Sequence, residues 1–83
     1  MKFLRMRPGF GEQLIAEGDV EVAEDEQALI DEFRRQLDQG MWAAVPTTRS
    51  DGRREVELLR AFEEIPRDTG RVIFFPRAAG GAE

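Results

Sequence analysis

The chain has 83 residues, 41% hydrophobic and 35% charged, with a net charge of −5. That is the balance of one small water-soluble domain rather than of a disordered polyelectrolyte or a membrane protein, and it leaves no room for a second domain of ordinary size. Cys, His and Tyr are all absent, which excludes a disulfide staple and a Cys/His zinc site and removes the usual nucleophile and general base of small hydrolases. The composition therefore points away from an enzyme and implies no metal or cofactor.

Residues 1–6 alternate as a short strand, with Phe3 and Arg5 on one face and Leu4 and Met6 on the other. The run Arg7-Pro8-Gly9-Phe10-Gly11 is a turn, because Pro lacks a donor and Gly tolerates positive φ. It is not a phosphate cradle, since neither a strand–helix context nor a Lys accompanies it. Residues 13–16 and 19–23 flank Glu17-Gly18, and Val20 and Val22 alternate with Asp19 and Glu21. Two strands or a bent hairpin are expected over the first 23 residues.

Within residues 17–26 stand six acids and no base. They read as a solvated strand edge leading into a helix start, where negative charge is favoured; the functional alternative is a docking face for a basic partner. Such a face repels phosphate, so nucleic-acid binding is not expected. Residues 24–39 are an amphipathic helix. Leu29, Phe33 and Leu37 recur at every fourth position, Ala28 and Ile30 widen the stripe, and Gly40 closes it.

Residues 41–45 are a short buried strand closed by Pro46, with Trp42 a core or edge residue rather than a ligand platform. Residues 47–52 form a polar turn ending in Ser50-Asp51-Gly52. Residues 54–65 stay ambiguous. The Asp-Gly turn favours a strand over 55–59, whereas Leu58, Leu59, Phe62 and Ile65 also fit a helical face built from good helix formers. The carboxylate pairs Asp25-Glu26 and Glu63-Glu64 do not converge on one substrate. Residues 71–76 (Val72, Ile73, Phe74, Phe75) are a buried strand, and one of the two Phe side chains must face away from the helix. The reading is α+β: a mixed sheet of four to five strands on one amphipathic helix, with residues 1–77 as a single domain and 78–83 as a tail.

That tail carries Gly80-Gly81 shortly after the strand ending Phe-Phe-Pro. The stretch Val72-Ile73-Phe74-Phe75-Pro76-Arg77-Ala78-Ala79-Gly80-Gly81 resembles the C-terminal end of the ubiquitin-like β-grasp family, above all its small sulfur-carrier members. The resemblance covers these residues and the coarse order of elements. It implies a β-grasp fold and a prokaryotic protein modifier or sulfur carrier. An E1-like adenylating enzyme would activate Gly81 with ATP, while Gly80 keeps the tail narrow enough to thread a channel. It also implies that Phe74, Phe75 and Arg77 lie near the docking surface for that enzyme. Because Ala82 and Glu83 follow Gly81, it further implies a protease that cuts after Gly81. The rival reading is a non-conjugated interaction or structural subunit of a larger complex; a third is an enzyme subunit relying on a partner's residues. Residues 1–10 contain no secretory h-region and no apolar run approaches the ~20 residues of a membrane span, so a cytoplasmic location is expected.

Overall fold

A computed structural model describes residues 1–48 and 50–77. The elements are β1 (Lys2–Arg7), β2 (Gly11–Glu17), α1 (Ala23–Asp38), β3 (Met41–Thr48), β4 (Arg54–Leu59), a single 3-10 turn (Phe62–Glu64) and β5 (Arg71–Pro76). They form one five-stranded sheet in the order β2-β1-β5-β3-β4 with the helix on one face. The first and last strands run parallel at its centre, and the other neighbours are antiparallel. This mixed α+β arrangement is compatible with a β-grasp.

The helix forms where the apolar stripe demands it. Leu29 and Phe33 are fully buried, and Ile30 and Leu37 are half-buried against the same core. Ala28 is exposed and does not widen the stripe; Gln36 takes a buried place instead. Gln36 is tolerated there because both ends of its amide are bonded. Its Oε1 accepts from Arg5 Nη1 at 3.4 Å, and its Nε2 donates to Glu32 Oε2 at 2.7 Å. Helix α1 ends at Asp38 with Gln39 as its cap, and Gly40, at φ 85°, turns the chain into β3.

Four phenylalanines centre the core. Phe3 of β1, Phe33 of α1, Phe62 of the 3-10 turn and Phe74 of β5 contact one another in tilted or edge-on pairs, with centroids 5.1–6.5 Å apart. Each geometry avoids face-to-face stacking and so favours the ring quadrupoles. Val72, Val45, Ala43, Met41, Leu59 and Ile65 close the cluster.

Two local expectations are corrected and one open reading is resolved. Residues 19–23 are not a strand: Val22 N donates to Asp19 O, Asp19 Oδ1 accepts from Glu21 N, and Asp25 Oδ2 accepts from Asp19 N. Asp side chains bonding to nearby backbone make a turn here, which overrides the Val alternation. Pro46 does not close β3, which continues to Thr48. It stands beyond the last β3–β5 pair, Ala44↔Ile73, where the strand has a neighbour on one side only and a missing donor is tolerated. The ambiguous stretch 54–65 divides: β4 comes first, then the one-turn helix that brings Phe62 and Ile65 into the core.

Candidate functional site

The helix covers one face of the sheet and leaves the other open. Alternation along each strand sends Phe3, Val72, Phe74, Ala43 and Val45 to the helix side. Their neighbours therefore point the opposite way. The registers Leu4↔Leu14, Leu4↔Ile73, Ala44↔Ile73 and Ala44↔Leu58 put one apolar residue from every strand into a single row across the open face. A second row follows toward the C-terminal end of β5, where Trp42 pairs with Phe75 and their rings lie 6.3 Å apart at 30°. Trp42 and Leu58 keep 40% and 47% of their surface exposed. Large apolar side chains gathered on one face mark an interaction surface more than scattered ones do.

The charges around this stripe differ from those of the whole chain. Lys2, Arg54 and Arg71 share the open face by alternation with Leu4, Val56 and Ile73, and Arg71 Nη1 reaches Glu12 Oε1 at 3.9 Å. Arg60 and Arg77 line a depression of about 610 Å³ together with Leu37, Met41, Trp42 and Leu58. That depression lies where the chain leaves β5, and Arg77 N donates to Gly40 O at 3.3 Å.

The residues singled out from the sequence separate on this geometry. Phe75 and Arg77 lie at the open face and its rim. Phe74 does not: it is 0% exposed within the aromatic cluster, so its side chain is a core residue and unavailable to a partner. Gly80, Gly81 and Ala82 lie outside the described residues. The row Leu4, Leu14, Ile73 and Leu58 was not among the sequence-derived site residues, and neither was Trp42, which stands 40% exposed against Phe75. The signal was present in the Val56/Leu58 alternation with Glu55/Glu57, but assigning a face required the strand order.

The acidic run 17–26 is largely taken up in structure. Beyond the Asp19 and Asp25 bonds, Arg67 Nη1 donates to Glu26 Oε2 at 2.9 Å, and Arg67 Nη2 donates to Val20 O at 2.7 Å and to Glu21 Oε2 at 3.4 Å. The hydrogen bond to Glu26 does most to hold the Arg67 guanidinium above its ordinary pKa. Glu64 likewise serves the backbone, accepting from Arg60 N and Ala61 N. Among the described residues no three His, Cys, Asp or Glu side chains are grouped to hold a metal ion, and no helix is long and apolar enough to cross a membrane. No family model, curated protein or solved structure matches the chain.

Proposed function

We propose that the protein is a ubiquitin-like modifier or sulfur carrier whose reactive atom is the carboxyl carbon of Gly81, exposed by removal of Ala82 and Glu83. One observation carries the reading. The central strand β5, parallel to β1, leads in sequence through Pro76 and Arg77 to Gly80-Gly81, and the Trp42–Phe75 pair opens an apolar surface beside that exit. On this reading a partner docks on that face and receives the segment that follows Arg77 in sequence. In the chemistry proposed, the Gly81 carboxylate attacks the α-phosphorus of ATP and pyrophosphate leaves. A sulfur or amine nucleophile then displaces AMP from the acyl-adenylate. The partners are an E1-like adenylating enzyme and a processing protease, with the reaction in the cytoplasm of a prokaryote.

The intact mass of the protein isolated from its native host tests this. A population lacking Ala82 and Glu83 is expected; chains that all retain both would exclude Gly81 as the reactive residue. Gly81→Ala is expected to block conjugation or thiocarboxylate formation while leaving the circular dichroism spectrum unchanged. The open apolar face also favours a second reading, a non-conjugated subunit of a larger complex. That reading predicts full-length chains and a partner lost on Phe75→Glu.

A further inference from the structure

The exposed apolar surface of the described residues is concentrated on the open face of the sheet. Met6, Leu14, Trp42, Val56 and Leu58 lie there, and the remaining large apolar residues left exposed are Phe10 and Val22. Bases stand on both sides of this surface along the strand direction. Lys2, Arg71 and Arg54 precede the row Leu14, Leu4, Ile73, Ala44, Leu58, and Arg60 and Arg77 follow β4 and β5 at the Trp42–Phe75 end. All of these bases are exposed, and of them Arg71 alone forms an ion pair with a described acid, Glu12. Strands β5, β3 and β4 bring no carboxylate to this side, because Glu55 and Glu57 alternate with Val56 and Leu58. The acids of the open face are Glu12 and Glu17, both on β2 at one end. Between Ile73 and Leu58 the face is recessed: Ala44 is only 3% exposed although no described element covers it.

We propose that the open face binds an acidic amphipathic helix of another protein, laid across the strands with Asp or Glu on both flanks of its apolar stripe. The apolar row crosses five strands, about 19 Å at ~4.8 Å per step. That is the length of about 13 helical residues at ~1.5 Å each, and a helix ~10 Å across covers both this row and the Trp42–Phe75 pair. Its flanking carboxylates then meet Arg54 and Arg71 on one side and Arg60 and Arg77 on the other. Apolar burial supplies affinity, and the complementary charge supplies choice and speeds encounter. A second copy is a poorer occupant, since its matching face brings the same excess of bases over Glu12 and Glu17. An anionic membrane is poorer too: the net charge of −5 opposes it, and a flat lipid surface does not fill the recess at Ala44. The proposal rests on the reading that this face docks a partner, not on the chemistry at Gly81.

The test is a titration of the isotopically labelled full chain with acetyl-Glu-Leu-Glu-Gln-Leu-Leu-Gln-Glu-Leu-Glu-Gln-Leu-Leu-amide and with its Lys-for-Glu counterpart. It is read by NMR and by the fluorescence of Trp42, the chain's single tryptophan. The Glu peptide is expected to shift the Trp42 emission to the blue and to move the amides of Ala44, Leu58, Ile73 and Phe75 saturably, binding less tightly as salt is added. Arg54→Glu and Arg60→Glu are each expected to weaken it by up to about fivefold, the worth of one exposed ion pair, and to move the preference toward the Lys peptide. Three results would overturn the proposal: no saturable shift with the Glu peptide, equal binding of both peptides to the unaltered chain, or shifts centred away from the open face. Tighter binding of phosphatidylserine-containing vesicles at the same residues would assign the face to a membrane, and a dimer in sedimentation that buries those residues would assign it to a second copy. The probe does not involve Gly81, so failure here leaves the acyl-adenylate chemistry standing, and full-length native chains would exclude that chemistry without touching this result.

Discussion

Phe74 and Phe75 are neighbours in sequence with opposite surroundings. Phe74 is sealed among Phe3 and Phe33, whereas Phe75 lies half-buried on the open face against Trp42. Replacing Phe74 with Ala should cost about 3–5 kcal/mol, the range for emptying an aromatic site in a closed core. The same change at Phe75 should cost about 1 kcal/mol or less, because water already reaches the ring and no closed cavity is left. Urea denaturation of the two variants checks this, with the midpoint falling far more for Phe74→Ala at similar slope. Gly40 supports a second prediction of this kind. A Cβ there meets nothing within 4 Å, so Gly40→Ala carries only the conformational cost of φ 85°, about 1–2 kcal/mol. Sequence alone showed that one of the two Phe residues must face outward, because strand neighbours diverge. Which one it is depends on the register with β3 and β1, and that is set by contacts remote in the chain.

The elements divide by how local their causes are. Helix α1 was legible because its stripe, its acidic first turn and its terminal Gly all act within one segment. The stretch 54–65 was not, because Arg, Glu, Leu and Ala favour a helix locally while pairing with β3 holds residues 54–59 extended. Residues 19–23 misled for a related reason. Two Val at alternate positions resemble a strand, but Asp19 and Asp25 bind the backbone and Arg67 ties the turn to the loop before β5. That tie joins elements 41 residues apart through Glu26. Arg67→Ala should therefore speed amide hydrogen exchange in the first turn of α1 and leave β3 and β4 unaffected; uniform acceleration would show that the tie has no local role. Its raised pKa gives stability that is present below the ordinary arginine value and lost only as pH rises beyond the folded one. Arg67 itself thus adds no pH dependence near neutrality. Added salt should narrow the difference between Arg67→Ala and the unaltered chain, since the ion pairs are exposed.

Across the whole molecule, charge and apolar surface are segregated in a way the net value conceals. Residues 1–40 hold five bases and ten acids, and residues 41–83 hold seven of each. Folding places much of the acid around the turn before α1. It places Lys2, Arg54 and Arg71 around the open apolar face, with Arg60 and Arg77 at its far end. Among the described residues the buried core runs from Phe3 to Phe74, all of it ahead of Arg77 in the chain. A chain ending at Arg77 should therefore unfold within about 0.5 kcal/mol of the full chain in urea, the range for changes away from packed or bonded features. On the carrier reading the same truncation removes all activation by an adenylating enzyme, because the acyl carbon itself is gone. A truncated chain that unfolds markedly more easily would mean that residues 78–83 belong to the fold, and Gly80-Gly81 would then need a structural explanation before a chemical one.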